Sequence, residues 1–419
     1  MKSCTGSAMS TPDLNAFRSA IRAQFPGLAE VYQGKPLAYL DSAATTQKPL
    51  AVITAMDTFL REQYGTVHRG LYRRSVQSTQ MYEDARRTVA KFINAASEKS
   101  IVFTMGCTDA INLVAWSWAR KHLRKGDRIL ITGMEHHANI VPWQITAEIT
   151  GAELVVCPIL DDGSLDLEAF DQLLDERVKL VSLIHIANSL GTINPIRELT
   201  RKAHAHGAKV LIDAAQSIAH QRIDVQDLDC DLLAFSAHKL YGPTGIGVLY
   251  GKPDILASMP PWRGGGEMIE KVTFEKTTFA EPPARFEAGT PPITEAIGLA
   301  AACNWISAIG WDHITAAEHD LYAYAEAGLA TIPNLRRIGT APDRCSVLSF
   351  VLPGAHAADL ASVLDMEHIA IRAGHHCAQP VMARFGVPAT ARASLGMYSD
   401  REDIDRLVAG LKKAAELFR

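Results

Sequence analysis

Two polar residues come at the ends of apolar segments, and their types suit coenzyme chemistry. Asp213 ends the segment KVLID, and Lys239 follows the segment DLLAF, with Gly242 and Pro243 soon after it. In an open α/β sheet, ligands bind at the edge formed by the carboxyl ends of the strands. A carboxylate there can hold a cationic ring nitrogen and a lysine amine can form a Schiff base, as a pyridoxal phosphate site requires. A helix-capping aspartate and a surface lysine are the structural alternatives.

A phosphate group on such a coenzyme needs N–H donors, which the first turn of a helix provides. The turn 105–109 (MGCTD) lies between the apolar segment SIVFT and a helical pattern, although glycine is common in such turns. Ser236 and His238, close to Lys239, can also bind an anion. The segment 135–139 (EHHAN) follows the apolar segment RILIT, and a histidine there can stack on a ring, bind a metal ion or cap a helix.

Seven cysteines are spread along the chain without the spacing of a metal clip. Their odd number and scattered positions favour a reducing, cytoplasmic setting. Cys377 differs from the rest because Arg372, His375 and His376 precede it, and nearby cations lower the pKa of a thiol. Five others are expected to have no chemical role: Cys4 in a tail, Cys157 and Cys303 as buried thiols, and Cys230 and Cys345 beside strands.

The composition is that of an ordinary globular protein and excludes several classes. Of the 419 residues, 47% are hydrophobic and 21% are charged, and the formal net charge is −4. A balance so near neutrality argues against a protein built to bind nucleic acid or an anionic membrane. The charge-free stretches 180–196 and 296–311 do not provide the roughly 20 apolar residues of a membrane span. The N-terminus lacks the apolar core of a secretory signal, and Met9 leaves open whether residues 1–8 are native.

Short apolar segments alternate with helical patterns over the first 250 residues. Segments that are apolar at nearly every position are typical of strands buried on both faces of a parallel sheet. Their alternation with helices predicts a doubly wound α/β domain. The predicted strands are 100–104, 128–132, 152–158, 179–184, 209–212, 231–235 and 245–250, with predicted helices at 109–120 and 196–206.

The pattern changes in the rest of the chain. The segment 262–292 is rich in Gly, Pro and Thr and is predicted to be a loop. After it, helices are predicted at 321–329 and 404–417, with a strand at 346–351 between them. This mixture indicates a second, smaller α+β domain.

The N-terminal segment is assigned to the smaller domain. Residues 12–26 are predicted to form a short helix that lies outside the large domain. The expected division is a large domain over residues 27–300 and a small domain formed by residues 1–26 together with 301–419.

Seven motifs, in their order along the chain, carry a family resemblance. They are DSAATTQKP at 41–49, VHRG at 67–70, EHHANIVPW at 135–143, IDAAQS at 212–217, SAHKLYGPTGIGVLYG at 236–251, FEAGTPP at 286–292 and RAGHHCAQP at 372–380. Together they resemble the group II (SufS/CsdA-like) cysteine desulfurases of the class V aminotransferase family, over residues 39–417. The last motif separates this group from the NifS/IscS-like desulfurases, whose cysteine lies on a longer, mobile loop.

The resemblance implies a fold and an activity. The fold would be the α/β, aspartate-aminotransferase-like fold type I of pyridoxal phosphate enzymes. Its large domain would hold a mainly parallel, seven-stranded sheet, and its smaller domain would be α+β. Lys239 would bind the coenzyme and remove the α-proton of L-cysteine. The Cys377 thiolate would then take the substrate sulfur as a persulfide and leave L-alanine.

The resemblance also implies a role for other residues at matching positions. His136 would stack on the coenzyme ring and is a candidate proton carrier. The remaining implied contacts are Asp213 with the ring nitrogen, Gln216 with the phenolic oxygen, Asn188 near the ring and substrate, Thr108, Ser236 and His238 with the phosphate, and Arg392, Arg372 and His68 with the substrate.

The implied assembly is a homodimer with shared sites. Thr290 of one subunit would reach the coenzyme phosphate of its neighbour. The persulfide sulfur would pass to an acceptor protein of the SufE or SufU type, for iron–sulfur cluster assembly in the cytoplasm. No metal, nucleic acid or membrane partner is expected.

Cys107 departs from the family pattern, because many relatives have threonine at this position. If the backbone N–H there binds the phosphate, the change is harmless. If a hydroxyl is required, the phosphate loses one donor, and Cys107 is a second, inert thiol beside the cofactor.

Other functions remain as alternatives. A selenocysteine lyase, an aminotransferase or a kynureninase-like hydrolase would use the same lysine, aspartate and histidine, but an aminotransferase has no need of Cys377. A binding protein that keeps the fold without the activity is disfavoured by the intact set of Lys239, Asp213, Arg392 and Cys377. A nicotinamide site is disfavoured because no G-x-G-x-x-G follows the first strand.

Overall fold

The computed structural model describes residues 14–418. Cys4 and residues 1–8, on which the sequence raises questions, lie outside this range. Of the helix expected over residues 12–26, positions 12 and 13 also lie outside this range, and the described part forms the helix Leu14–Arg22.

The described residues form seventeen strands in five sheets. In chain order the strands are β1 (Val31–Tyr32), β2 (Lys35–Pro36), β3 (Ala38–Tyr39), β4 (Ile101–Thr104), β5 (Arg128–Thr132), β6 (Glu153–Cys157), β7 (Val178–Ile184), β8 (Lys209–Asp213), β9 (Leu232–Ser236), β10 (Gly247–Gly251), β11 (Ile269–Val272), β12 (Thr277–Phe279), β13 (Arg336–Ile338), β14 (Val347–Val351), β15 (Ile369–Ala370), β16 (Arg372–Gly374) and β17 (Thr390–Ser394).

The same residues form sixteen α-helices, with short 3-10 and π turns between some of them. In chain order they are α1 (Leu14–Arg22), α2 (Leu50–Thr58), α3 (Arg73–Phe92), α4 (Cys107–Val114), α5 (Arg120–His122), α6 (Val141–Thr150), α7 (Leu167–Leu173), α8 (Ile196–Ala205), α9 (Ser217–His220), α10 (Val225–Leu228), α11 (Pro253–Ser258), α12 (Ile293–Ile309), α13 (Trp311–Ala330), α14 (Ala357–Asp365), α15 (Gln379–Arg384) and α16 (Arg401–Leu417).

The largest sheet has seven strands in the order β4-β10-β9-β8-β7-β5-β6. The strands from β9 to β6 run parallel to one another, and β10 is antiparallel to both of its neighbours. The prediction of a mainly parallel, seven-stranded α/β sheet is therefore confirmed. All seven predicted strands are present, with ends that differ by one or two residues.

Both faces of this sheet are buried, which explains why its strands are apolar at nearly every position. Successive side chains of a strand point to opposite faces. Accordingly, Leu130 packs into one hydrophobic cluster, and its neighbours Ile129 and Ile131 pack into the other. The helices that cover the two faces leave the carboxyl ends of the parallel strands for the loops that follow them.

The C-terminal region is built around a second sheet, in the order β13-β14-β17-β16, with antiparallel pairs throughout. Leu348 and Phe350 of β14 pack in one buried cluster with Leu407 and Leu411 of α16. The helix α16 begins at a capping box, in which Asp400 accepts from the backbone N–H of Asp403 and the reverse bond is also formed.

The N-terminal helix α1 packs on this C-terminal region through two ion pairs. Arg18 donates to Asp320 at 2.8 Å, and Arg22 donates to Asp403 at 2.7 Å. The strand β3 also joins this region, because it pairs in parallel with β15. Residues 38–39 therefore pair with the C-terminal part of the chain, although they follow the domain boundary expected at residue 27.

The prediction of a loop over residues 262–292 is wrong for part of the segment. The strands β11 and β12 form an antiparallel hairpin there, with a register shift between Ile269 and Lys271. All but the first residue of each strand are exposed, so the hairpin has no apolar pattern by which the sequence could indicate it.

No single helix within residues 14–418 is long and apolar enough to cross a membrane. The helices α12 and α13 are long and apolar enough only when they are taken together, and they are bent by 81° relative to each other.

Candidate active site

One cavity lies at the carboxyl edge of the seven-stranded sheet, where ligands bind in open α/β folds. Asp213 is the last residue of β8, and Lys239 ends the helical turn Ala237–Lys239 that follows β9. The loops after β5 and β7 add further side chains. The C-terminal region closes the cavity with residues of β16, β17 and the loop after β16.

Most of the predicted site residues line this single cavity. Those that it brings together are Lys239, Cys377, His136, Asp213, Gln216, Thr108, Cys107, Ser236, His238, Asn188, Arg392 and Arg372. They come from segments separated by more than 280 residues, so the fold alone brings them together.

Lys239 and Asp213 form the buried ionic centre of the cavity. Burial lowers the pKa of Lys239, and the negative charge of Asp213 opposes that shift. Burial raises the pKa of Asp213, which its hydrogen bond from the backbone of Ala215 (2.9 Å) and the charge of Lys239 oppose. A lysine amine with a lowered pKa is more often neutral, as a nucleophile and base must be.

Cys107 faces Asp213 rather than solvent. Its Sγ lies 3.4 Å from Oδ1 of Asp213, and its backbone N–H donates to Oγ of Ser236 at 2.8 Å. Burial, followed by the charge of Asp213, raises the pKa of the Cys107 thiol well above its usual value. The thiol is therefore protonated and can donate to Asp213, so this residue contacts the carboxylate as well as beginning α4.

The ring of His136 lines the same cavity and is neutral. Its Nδ1 accepts a hydrogen bond from the backbone N–H of Ala138 at 3.0 Å, so the neutral ring carries its proton on Nε2. Burial, together with the charges of Lys239 and other nearby cations, lowers the pKa of His136 to about 3. A planar, uncharged ring with a fixed tautomer can stack on another ring and can donate one proton.

The opposite end of the cavity suits a phosphate group. The helix α4 begins there, and the first N–H groups of a helix attract anions. Ser236 and His238 line the same end, and Nδ1 of His238 lies 3.1 Å from Oγ1 of Thr45. Burial and the nearby lysines lower the pKa of His238 to about 4. His238 is therefore neutral near pH 7 and acts as a hydrogen-bonding group.

Two arginines define a carboxylate-binding side of the cavity. Arg392 is buried, and it donates to Asp41 at 2.9 Å and to the carbonyl oxygen of Asn188 at 3.1 Å. Arg372 is more exposed and lies 3.7 Å from the same Asp41. A guanidinium matches the two oxygens of a carboxylate, so this side can bind an amino acid by its carboxylate.

Cys377 lines the cavity from a turn whose backbone conformation is unusual. His376 and Cys377 both have positive φ angles, 53° and 54°, which non-glycine residues seldom adopt. Two hydrogen bonds hold this turn. Nδ2 of Asn188 donates to the carbonyl oxygen of His376 at 2.7 Å, and the backbone N–H of His137 donates to the carbonyl oxygen of Cys377 at 2.8 Å. Strained backbone of this kind is typical of functional sites.

The expectation that His376 supplies positive charge to this thiol is wrong. Burial and the nearby arginines lower the pKa of His376 to about 3, so the ring is neutral near pH 7. Its Nε2 lies 2.8 Å from Oγ1 of Thr390, which fixes the ring against β17. The cations that line the cavity with Cys377 are Arg372, Arg392 and Lys239.

Two predicted residues lie outside the cavity of the same chain. Thr290 lines a separate cavity with residues that include Tyr82 and Trp262. His68 stands between Glu83, 3.4 Å from Nε2, and Glu267, 3.6 Å from Nδ1, and the hydrogen bond to Glu83 raises its pKa.

Gln216 lines the cavity but already uses its amide nitrogen. This nitrogen donates to the carbonyl oxygen of Ala43 at 2.7 Å. The predicted contact with a phenolic oxygen would need this bond to be exchanged.

The sequence did not indicate three residues that organise the site. Asp41 belongs to a quoted motif, but its ion pair with Arg392 spans 351 residues and leaves no local signal. Glu135 is fully buried beside His136 and accepts from Thr132, Asn139 and the backbone of Ile184. Lys48 donates to the carbonyl oxygen of His238.

The residues present fit pyridoxal phosphate. Three buried polar atoms of cavity-lining residues, Oδ1 of Asn188, Nδ1 of His376 and Nε of Arg392, have no hydrogen-bond partner within residues 14–418. Buried polar groups are normally paired, so a polar group that enters the cavity can supply the partners they lack. Asp213 is available for a ring nitrogen, Lys239 for an aldehyde, and the start of α4 for a phosphate.

Comparisons with known proteins identify the family of the chain. The family model described as Aminotransferase class-V matches residues 38–407. The cysteine desulfurase of Dickeya dadantii (strain 3937) is 54% identical over 398 residues, which cover 95% of this chain and 96% of that protein. The crystal structure of the cysteine desulfurase CsdA (S-sulfonic acid) from Escherichia coli has a TM-score of 0.88 and 41% identity, covering 96% of this chain and 99% of that one.

A third relative extends the similarity to another organism. The apo structure of a cysteine desulfurase from Thermococcus onnurineus NA1 has a TM-score of 0.91 and 36% identity, covering 98% of this chain and 99% of that one. The fold and the activity expected from the sequence are therefore confirmed. The chain belongs to the class V aminotransferase family, among its pyridoxal-phosphate-dependent cysteine desulfurases.

Proposed function

We propose that this chain takes sulfur from L-cysteine in the cavity at the carboxyl edge of the seven-stranded sheet, with Lys239 and Cys377 as its catalytic residues. The observation that carries the proposal is that both side chains line one cavity. Asp213 and Arg392 line the same cavity and complete the charges that an amino-acid substrate needs.

The coenzyme-binding residues follow from the two ends of the cavity. Bound pyridoxal phosphate would supply an electron sink for the carbanion formed at the substrate Cα. The carboxylate of Asp213 would hold the protonated ring nitrogen, and the His136 ring would stack on the coenzyme ring. Ser236 and His238 hold the phosphate together with Thr108 and the backbone at Cys107. Asn188 would lie near the ring, and Gln216 would reach the phenolic oxygen if its hydrogen bond to the carbonyl oxygen of Ala43 were exchanged.

The substrate is held so that its sulfur faces Cys377. Arg392 binds the carboxylate of L-cysteine, with Arg372 beside it. Lys239 then removes the α-proton, since burial favours its neutral amine. His136 carries a proton on Nε2 and is positioned to exchange one with the substrate thiol. His68 joins the substrate side when a second chain completes the site.

Sulfur transfer is a substitution at the substrate sulfur. The Cys377 thiolate attacks this atom, an S–S bond forms, and the bond between sulfur and Cβ breaks. The electron pair of that bond stays with the carbon fragment, which takes up protons and leaves as L-alanine. Arg372 and Arg392 line the cavity together with Cys377. The product on the enzyme is a Cys377 persulfide.

The persulfide sulfur passes to an acceptor protein of the SufE or SufU type for iron–sulfur cluster assembly. The turn that carries Cys377 supports this step, because the side chain is partly exposed at the cavity mouth. The six cysteines within residues 14–418 are all free thiols, which fits a reducing compartment, and we place the enzyme in the cytoplasm.

We further propose a homodimer and a two-domain chain. Thr290 lines a cavity that also includes the exposed Met105, which fits a role in the phosphate site of a second copy. The ion pairs of α1 with Asp320 and Asp403 support a small domain formed by residues 1–26 and 301–419. The large domain then covers residues 27–300.

Two variants test the catalytic assignment. Lys239→Ala should lose the visible absorbance that pyridoxal phosphate gives when it is bound to a lysine. Cys377→Ser should keep that absorbance but produce no alanine from L-cysteine. Cys157→Ser changes another free thiol, one that is buried outside the cavity, and is the matched control. Full alanine production by Cys377→Ser would contradict the persulfide step, and activity on selenocysteine alone would identify a selenocysteine lyase.

A further inference from the structure

Lys48 is a largely buried cation that the reaction described above does not use. It lies between β3 and α2, and its ammonium nitrogen donates to the carbonyl oxygen of His238 at 2.9 Å. Within residues 14–418, no carboxylate forms an ion pair with it. Burial is the cause that lowers the pKa of Lys48 to about 8. A buried charge without a counter-charge costs free energy, so its one polar contact has structural importance.

The carbonyl oxygen of His238 receives an unusual number of donors. Besides Lys48, it accepts from the backbone N–H of Thr46 at 3.1 Å, from Oγ1 of Thr46 at 3.0 Å and from Oγ1 of Thr45 at 3.2 Å. A carbonyl oxygen has two lone pairs and usually accepts one or two hydrogen bonds. Residues of the segment 45–48 therefore donate four hydrogen bonds to this one oxygen atom.

This oxygen belongs to the peptide unit that precedes Lys239. A peptide unit is planar, so its carbonyl oxygen, the nitrogen of Lys239 and the Cα of Lys239 lie in one plane. A fixed carbonyl direction therefore fixes where the nitrogen and the Cα of Lys239 lie, which is the point from which its side chain leaves the backbone. Oγ1 of Thr46 also accepts from the backbone N–H of Tyr241 at 2.9 Å, and Tyr241 has a positive φ of 59°. The same segment thus holds the turn on both sides of Lys239.

We propose that Lys48 is a positioning residue for Lys239, which holds the lysine amine at its reacting position through the carbonyl oxygen of His238. Lys48 does not itself line the cavity, so it acts on the coenzyme and the substrate only through this contact. An ammonium gives a stronger hydrogen bond to an oxygen than a neutral donor does, and this explains a cation at a buried position. The inference rests on the proposed role of Lys239.

The test compares three variants of the full-length protein. Lys48→Met removes the charge and the donor, and Lys48→Arg keeps both. Lys179→Met is the matched control, because Lys179 also donates to a backbone carbonyl, that of Glu176 at 2.6 Å, but is exposed and lies on β7 away from the cavity. The measurements are kcat and KM for L-cysteine and the rate at which visible absorbance appears after pyridoxal phosphate is added to coenzyme-free protein.

Lys48→Met should lower kcat by about tenfold or more, because small displacements of a catalytic group have large effects on rate. Its KM should stay unchanged, since Arg392 and Arg372 are untouched. The visible absorbance should also appear more slowly, because the amine of Lys239 must find the aldehyde. Lys48→Arg should recover much of both rates, and Lys179→Met should match the parent protein.

The proposal is overturned if Lys48→Met matches Lys179→Met in both rates, or if Lys48→Arg is no better than Lys48→Met. Should Lys48→Met not fold, Lys48→Gln takes its place in the same comparisons. Lys239→Ala separates this inference from the proposed function. If Lys239→Ala keeps the visible absorbance, the role of Lys239 fails; if it loses the absorbance while Lys48→Met is unaffected, only the role of Lys48 fails.

Discussion

Within residues 14–418, Asp41 is the one carboxylate that pairs with both arginines of the cavity, and its removal should be costly. Arg392 has only 2% of its side chain exposed, so Asp41→Asn leaves a buried guanidinium without its counter-charge. Breaking such a pair costs roughly 3 kcal/mol or more. We therefore expect a lower free energy of unfolding, measured with urea, and a higher KM for L-cysteine. Asp161→Asn is the control, since Asp161 is 97% exposed in its pair with Arg384, and such pairs contribute about 0–1 kcal/mol. Equal losses in the two variants would contradict this view of Asp41.

Cys107 shows how a change of residue type can preserve an interaction. Its thiol can donate to Asp213 at 3.4 Å, where the threonine of many relatives would place a hydroxyl. Cys107→Val keeps the shape of threonine but removes the donor, whereas Cys107→Thr supplies a stronger one. A hydrogen bond to a charged group is worth about 1.5 kcal/mol, which corresponds to roughly tenfold in coenzyme affinity.

We therefore expect pyridoxal phosphate to dissociate from Cys107→Val about tenfold more readily than from Cys107→Thr. Equilibrium dialysis followed by visible absorbance measures this difference. Equal retention in the two variants would show that the contact with Asp213 has no energetic effect.

At the scale of elements, the parallel strands could be predicted because burial on both faces makes them apolar throughout. The same reasoning placed Asp213 and Lys239 at one edge of the sheet, since parallel strands end on the same side. The hairpin of β11 and β12 could not be predicted in this way, because its residues are mostly exposed. Nor could the neutral state of His376, since burial by distant segments sets its pKa.

His185, which follows β7, should make the stability of the fold depend on pH. Burial lowers its pKa to about 4, against 6.5 in the unfolded chain. The unfolded chain therefore binds a proton that the folded protein does not, and stability falls as the pH falls from 6.5 towards 4. By linkage, this histidine alone costs about 2 kcal/mol at about pH 5.

The variant His185→Gln should lose less stability than the parent between about pH 7.5 and about pH 5, by up to about 2 kcal/mol. Urea unfolding at the two pH values measures this difference, and each protein is compared with itself. The control is His206→Gln, which changes an exposed histidine. It reports what removal of a histidine does by itself. Parallel pH dependence in His185→Gln and the parent would contradict a neutral, buried His185.

At the scale of the whole molecule, residues 50–76 expose an apolar surface that a single chain does not explain. Leu71 is 97% exposed, and Leu50, Leu60, Tyr72 and Val76 are each more than half exposed. Scattered apolar residues are normal on a protein surface, but five such exposed side chains in one short segment fit the proposed contact with a second copy. A second copy of the chain would cover the apolar side chains and receive Thr290.

The double variant Leu71→Glu/Val76→Glu should therefore be monomeric and poorly active. Burying two carboxylates in an apolar interface is unfavourable, so the copies should separate. Each separated chain should then lose coenzyme more readily, because no second copy supplies Thr290 to the phosphate. Sedimentation velocity measures the mass, and alanine production measures activity in the same sample. Leu417→Glu is the matched control, since Leu417 is 65% exposed on α16, far along the chain from this surface. A fully active monomer would show that the site is complete within one chain. A double variant that stays dimeric would show that another surface joins the two copies.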